Sequence, residues 1–412
     1  MAEEKVDELK KEKAEKDPEL FDVGDLLDDI VFKALELRAS DVHIEPKEKN
    51  VVVRYRIDGM LREALRIDKE VEDALTFKVK VAARLRTDEH MAPQDGRIKF
   101  AKGTKLLDTR ISILPTTKGE KIVIRLLSQE GRSFKLPDLG LEGKDLDSVE
   151  RSMHKPYGMI LAVGPTGSGK TTTLYSILSN INSPEINVTT IEDPVEYEID
   201  GVNHIQINAK TNLTFATGLR SILRQDPDVV MVGEIRDNET ARIAINAALT
   251  GHLVLSTLHT NDAVTTIPRL IDMGIEPYLV AATVNLIVAQ RLARLLCAHC
   301  KKEYKLTKDD LDYVSKVRKD IGAMLNVGDK FFKKAGCQEC GNTGYKGRLG
   351  IYEILEVDET IRKLISTGAS VDDIFKQSRK SGLSLIFENA GERLKDGLID
   401  IPEIMRITAM KE

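Results

Sequence analysis

Three observations predict an α/β fold in which a P-loop domain follows a smaller α+β domain. From about Leu141 onward, short apolar runs at 159–163, 188–191, 229–232 and 253–256 alternate with helical stretches. Each run is bounded by glycine, aspartate or polar clusters, as suits parallel strands buried on both faces by covering helices. The first run leads directly into a glycine-rich phosphate-binding motif and a helix. Ahead of this region, residues 21–129 mix helical and strand periods between turn residues, the pattern of a separate α+β unit.

Taken in order, residues 1–20 are almost wholly Glu, Asp, Lys and Ala, a charged arm that is solvated or disordered. Leu26, Leu27, Ile30, Val31, Ala34 and Leu37 then recur at helical spacing over 23–37. Val51, Val53, Tyr55 and Ile57 alternate as one strand face, and Asp58-Gly59 reads as a hairpin turn. Residues 72–86 read as helix, and 97–100, 105–113 and 121–127 as strands. Gly131, Pro137 and Gly140 mark 130–140 as a linker to the P-loop domain, 141–412. Within that domain a cysteine-bounded insert occupies about 297–345, and a charged helical region about 358–412.

Composition narrows the classes. Apolar residues make up 42% and charged residues 31%, which fits a globular protein, and the formal net charge of −5 gives no footprint for nucleic acid. With no tryptophan and 5% aromatics, the cores must rest on Leu, Ile, Val and Ala. No run approaches the roughly 20 apolar residues of a spanning helix, and the acidic N-terminus has no signal-peptide apolar region. A cytoplasmic protein, reaching any membrane only through partners, is the expectation.

Gly164-Pro165-Thr166-Gly167-Ser168-Gly169-Lys170-Thr171-Thr172 contains the full G-x-x-x-x-G-K-[ST] pattern. Glycines let consecutive backbone N–H groups wrap a polyphosphate, and the helix that follows adds the positive end of its dipole. Lys170 supplies a point charge to the outer phosphates, and the Thr171 hydroxyl suits Mg²⁺. Hydrolysis of ATP needs a further group that orients water. The apolar run 229–232 delivers Gly233-Glu234 in the manner of a Walker B strand, so Glu234 is the candidate base and ligand to Mg²⁺ through water.

Cys297-Ala-His-Cys300 and Cys337-Gln-Glu-Cys340 are two knuckles at metal-ligand spacing. Four thiolates suit a tetrahedral, closed and therefore structural Zn²⁺ site.

Several segments together resemble the ATPases of type II secretion and type IV pilus assembly. They are the long P-loop Gly164-Pro-Thr-Gly-Ser-Gly-Lys-Thr-Thr-Thr-Leu174 and Thr190-Ile-Glu-Asp-Pro-Val-Glu-Tyr197, similar to the family's Asp box. Leu223-Arg-Gln-Asp-Pro-Asp-Val-Val-Met-Val-Gly-Glu-Ile-Arg-Asp237 is similar to its atypical Walker B, and Thr250-Gly-His-Leu-Val-Leu-Ser-Thr-Leu-His-Thr-Asn-Asp262 to its His box. Ala39-Ser-Asp-Val-His-Ile-Glu-Pro46 and Met91-Ala-Pro-Gln-Asp-Gly-Arg97 extend the likeness into the first domain. The segment ending Gly344-Tyr-Lys-Gly-Arg-Leu-Gly-Ile-Tyr-Glu353 resembles the metal-bearing part of the extension and secretion branch, which the retraction ATPases lack.

The resemblance implies a RecA-like ATPase domain behind a PAS-like domain, assembled as a homo-hexamer with ATP between the two domains. It adds Glu192 of the Asp box and His259 of the His box to the candidate catalytic residues, with Arg97 and Arg110 as arginines of the first domain. It also implies an inner-membrane platform protein as partner, at the cytoplasmic face. Many members carry a further N-terminal domain that docks on a membrane-anchored protein, whereas this sequence enters the PAS-like domain by about Phe21. A nucleic-acid motor and a nucleotide-dependent regulator are the competing classes; the acidic balance argues against the first and Glu234 against the second.

Overall fold

The computed structural model describes residues 23–103, 105–127 and 135–409. The charged arm 1–20 and much of the linker lie outside them. The chain divides into two compact units: the residues up to 131 with Gln338–Asn342, and the remainder.

In the first unit, helices α1 (Val23–Glu36) and α2 (Glu72–Ala82) accompany a six-stranded antiparallel sheet. Its strands are β1 (Ala39–Pro46), β2 (Asn50–Ile57), β3 (Met60–Asp68), β4 (Gln94–Lys102), β5 (Lys105–Thr116) and β6 (Gly119–Leu127), in the order β3-β2-β1-β6-β5-β4. Alternate residues of these strands, such as Val42, Ile44, Val53, Ile111, Ile113, Ile122 and Ile124, join Leu27, Ile30 and Val31 of α1 in one core. Asp58 and Gly59 both have positive φ, 47° and 81°, as the two-residue turn between β2 and β3 requires.

Three details depart from the sequence expectation. Helix α2 stops at Ala82 and not near Arg86, because Arg84 turns left-handed at φ 56° and brings Leu85 back towards Gly96. A Cβ at Gly96 would stand about 3.0 Å from Ala83, so a residue without a side chain makes that return possible. Strands β1 and β3 escaped the reading. In β1 the positions facing away from the core are Asp41, His43 and Glu45, all buried, and β3 is a charged edge strand with little alternation.

The second unit opens with a short 3₁₀ turn, Leu136–Leu139, and Leu136 is buried in its core. This end of the expected linker is therefore packed structure. Helix α3 (Gly143–Met153) follows, then β7 (Gly158–Val163), α4 (Lys170–Ile181), β8 (Val188–Glu192), β9 (Asn203–Gln206), α5 (Phe215–Ile222), β10 (Val229–Val232), α6 (Asn238–Leu249) and β11 (Leu253–Leu258). Helices α7 (Thr266–Asp272) and α8 (Pro277–Thr283) lead to β12 (Val284–Leu296).

The sheet order is β15-β12-β7-β11-β10-β8-β9, with β15 (Tyr345–Glu356) antiparallel to β12 and the other pairings parallel. One core lies on each face: Met159, Leu161 and Val163 of β7 face one, Ile160 and Ala162 the other. That double burial is why the strands read as unbroken apolar runs.

Between β12 and β15 the insert contains β13 (Lys302–Lys305) paired with β14 (Lys330–Lys333), and helices α9 (Lys308–Val317) and α10 (Lys319–Gly322). Helices α11 (Glu359–Ser366), α12 (Val371–Lys380), α13 (Ile386–Lys395) and α14 (Ile401–Thr408) complete the described chain. The buried Glu403 carboxylate ties α14 to β12, accepting from the Arg294 backbone at 2.6 Å and its Nε at 2.9 Å. Among the described residues no helix is long and apolar enough to cross a membrane.

Candidate functional site

Parallel strands present their carboxyl ends along one edge of a sheet, where α/β folds bind ligands. Here β7 runs into the P-loop, β8 ends on Glu192, β10 runs into Gly233-Glu234, and β11 runs into His259. One edge thus collects the motif residues that sequence spreads over about a hundred positions.

Gly164, Gly167 and Gly169 take φ of 140°, 77° and 93°, conformations that side chains disfavour. A Cβ at Gly164 would also press on the Gln290 carbonyl, the Ser168 hydroxyl and Arg291. The Lys170 ammonium donates to the carbonyl oxygens of Gly164 at 2.7 Å and Pro165 at 3.2 Å. Burial pulls its pKa below the ordinary lysine value; the Glu234 charge opposes this and the Arg291 charge adds to it. Ser168 Oγ is buried without a hydrogen-bond partner. This orphaned hydroxyl, beside the Gly164 backbone, is a donor that a phosphate oxygen in the loop would satisfy. Thr171 and Thr172 lie in the first turn of α4.

Gly233 is a close approach: a Cβ there would come within 3.3 Å of the Glu192 Cα and the Ile191 carbonyl. Its N–H bonds Ile191 O at 2.8 Å and its carbonyl accepts from Thr257 Oγ1 at 2.8 Å, which fixes the start of the Glu234 segment between β8 and β11. The Glu234 carboxylate takes Arg236 Nη2 at 2.5 Å and has His259 Nε2 at 3.4 Å. The structure therefore brings Lys170, Glu234 and His259 together.

Glu192 is placed differently. It is 2% exposed, and its oxygens accept from Tyr175 OH at 2.5 Å and Thr190 Oγ1 at 2.7 Å. His204 Nε2 accepts the Ile199 N–H at 3.0 Å, so its Nδ1 carries the proton and faces Glu192 Oε1 at 3.0 Å. Three donors from α4, β8 and β9 engage this carboxylate, which makes it a tie between the P-loop helix and the sheet. His252 lies at the far end of β11, with Nδ1 2.9 Å from Ala247 O at the close of α6.

In the first unit, Arg97 and Arg110 face each other across β4 and β5, and Arg110 faces Arg125 across β5 and β6. All three stand on the side of the sheet opposite its core, since Ile98, Ile111 and Ile124 point inward. Arg125 Nε donates to Asp41, 3.0 Å away.

The sulfur atoms of Cys297, Cys300, Cys337 and Cys340 lie within 4.8 Å of one another, and those of Cys297 and Cys337 are 3.8 Å apart. A tetrahedron with metal–sulfur bonds of about 2.3 Å has edges of about 3.8 Å, so the donor set fits Zn²⁺. Knuckle geometry supports it: the Cys300 and Lys301 N–H groups both turn back on the Cys297 carbonyl.

Sequence reasoning did not single out Tyr175, His204, Arg236, Arg291 or Glu353. Arg236 stood two residues from Glu234 within a quoted motif, which was the available signal. Tyr175 and His204 gave none, because their partner Glu192 is reached only through packing.

The Type II/IV secretion system protein family model matches residues 17–406. Type II secretion system protein E of Pseudomonas aeruginosa is 44% identical over 383 residues, covering 93% of this chain and 75% of that protein. The type IV pilus assembly ATPase PilB of Myxococcus xanthus is 43% identical over 410 residues, covering 98% and 72%. Among solved structures, the Legionella pneumophila ATPase DotB superposes with a TM-score of 0.70 at 22% identity, covering 95% of this chain and 97% of that one, which speaks for the fold alone. The ADP-bound pilus retraction motor PilT gives 0.64 at 26% identity, covering 93% and 97%. A RecA-like sheet with its P-loop at the carboxyl edge, and relatives of this length and identity, place the chain in the type II/IV secretion system protein family as a motor ATPase.

Proposed function

We propose that this ATPase works as a homo-hexamer that drives an inner-membrane platform protein from the cytoplasmic face, in type IV pilus assembly or type II secretion. The observation that carries the reading is the convergence of Lys170 and Glu234. The lysine lies in the phosphate loop after β7 and the carboxylate at the end of β10, close enough that each charge bears on the other. On this reading the loop from Gly164 to Thr172 holds the ATP phosphates, Thr171 ligates Mg²⁺, and Glu234 orients the attacking water. Bound Mg²⁺ would neutralise charge on the outer phosphates. His259, beside Glu234, faces the γ-phosphate position.

Arg97 and Arg110 are assigned to the phosphates as a source of positive charge from the first domain. Glu192 keeps a supporting role, through Tyr175. The four cysteines hold a structural Zn²⁺ that pins the ends of the insert. The two compact units are taken as the two functional domains.

The test is steady-state ATP hydrolysis by Lys170→Ala, Glu234→Gln and Arg97→Ala/Arg110→Ala proteins, with oligomeric state measured alongside. Parental turnover in Glu234→Gln would sink the assignment of the base. A pull-down with that slow variant from the source cell identifies the platform, and so decides between pilus and secretion. Recovery of nucleic-acid enzymes alone would overturn both.

A further inference from the structure

The loop that carries His259 is gripped from behind at two points, by Arg291 and Glu353, neither of them among the site residues assigned above. Arg291, on β12, donates from Nη2 to the Asn261 carbonyl at 2.9 Å and from Nη1 to the Gln290 carbonyl at 3.3 Å. The same guanidinium stands beside the P-loop, where a Cβ on Gly164 would lie 3.2 Å from Nη1. Glu353, on β15, accepts the Ala263 N–H at 2.8 Å and is 4% exposed. Its carboxylate also takes the N–H of Ile386, the first residue of α13. Register puts Glu353 opposite Ala289 on β12, two residues from Arg291 along that strand.

From these contacts we propose that Arg291 and Glu353 are positioning residues for ATP hydrolysis. They clamp the segment 261–263 so that His259 is held against Glu234 while Arg291 sets the distance to the P-loop. The proposal rests on the reading of Glu234 and His259 given above, and it assigns no contact with substrate to either residue. Loss of the clamp would let His259 drift, and small misplacements in such sites cost large factors in rate.

The electrostatics agree. Asp262 and Arg291 are the charged groups that face Glu353, and the Ala263 and Ile386 amides complete its surroundings. Burial dominates and pushes the carboxyl up to about 7, Asp262 adding to the rise while the two amides and Arg291 oppose it. Ionised Glu353 attracts Arg291; the protonated form does not. The folded protein therefore binds this proton more tightly than the unfolded chain does. Its contribution to stability is present below the ordinary carboxylate range and is lost as pH rises through about 7. A neutral amide at 353 should then cost turnover without costing stability at alkaline pH, a combination a merely structural residue does not give.

The experiment compares parental, Glu353→Gln, Glu353→Ala, Arg291→Ala and Arg291→Lys proteins. It reads kcat and KM for ATP from pH 6 to 9, fluorescent ADP affinity and melting temperature. Glu353→Gln should lower kcat about tenfold or more at pH 8 with KM and ADP affinity nearly unchanged. It should melt no lower than the parent there, and should lack the rise in kcat through about pH 7 that ionisation of Glu353 is expected to give the parental protein. Arg291→Ala should show the same kcat loss, partly restored by Arg291→Lys. Parental kcat and pH profile in Glu353→Gln and Arg291→Ala would overturn the clamp, as would a parallel fall of kcat and nucleotide affinity. If Glu234→Gln is inactive while these variants are normal, the clamp fails and the assignment of the base stands; an active Glu234→Gln fails the assignment itself.

Discussion

Strands β8 and β10 lie side by side and each delivers a glutamate to the same edge of the sheet, yet the two are held in opposite ways. Glu192 is sealed beneath the P-loop helix with donors from Tyr175, Thr190 and His204. Glu234, two residues beyond its strand, has one oxygen paired with Arg236 and the other turned towards His259 at 3.4 Å. A buried carboxylate held by three donors has little left for a water molecule, whereas one paired with an exposed arginine can exchange that partner for one. The contrast fits the proposed roles, Glu192 building the site and Glu234 acting in it, although both sit inside recognisable motifs.

The largest expected effect is at the acting end. Glu234→Gln should reduce kcat by about a hundredfold or more while leaving ADP affinity within a small factor, read by steady-state hydrolysis and fluorescent-nucleotide titration. Glu192→Gln and Tyr175→Phe should show the reverse balance. Each leaves a buried polar group short of a partner, at about 1–3 kcal/mol, so melting temperature should fall by several degrees with a smaller loss of kcat. Equal effects at Glu192 and Glu234 would erase the distinction between them.

The cysteine cluster sharpens it from another side, as a second place where side chains build and do not act. On the proposed zinc reading, Cys297→Ser with Cys300→Ser should abolish the zinc found in the parental protein by elemental analysis and lower the melting temperature, with less effect on kcat per folded molecule than Glu234→Gln. The smallest effect is expected at Glu45, whose burial would raise its pKa but which Arg54, Lys121 and Lys47 together pull down to about 2. What it adds to stability is present above the ordinary carboxylate range and is lost as pH falls towards 2. Glu45→Gln should therefore destabilise the protein slightly at pH 7 and not at all near pH 2, by thermal melts at both values.

Much of the fold was legible because it is written in local patterns. The apolar runs of β7, β8, β10 and β11 had to be doubly buried strands, and the left-handed glycines of the P-loop follow from its motif. Strand β1 was hidden because its alternate residues Asp41, His43 and Glu45 are polar, and β15 because its glycines, Lys346 and Arg348 interrupt the apolar run. The end of α2 was set by a contact with Gly96, far along the chain, that no helical period reports.

Sequence by itself determined the residue types at the site: a phosphate loop with its lysine, a glutamate after an apolar strand, and four thiols at metal spacing. These are local because the chemistry demands particular atoms, and a backbone cradle must be continuous in the chain. Only the tertiary structure decided which carboxylate is buried among three donors and which is paired with an exposed arginine. It also brought Arg291 and Glu353 behind the His259 loop, from strands far beyond it in sequence. Such assignments depend on which hydrogen-bond donors packing carries to each oxygen, and no spacing in the chain encodes that.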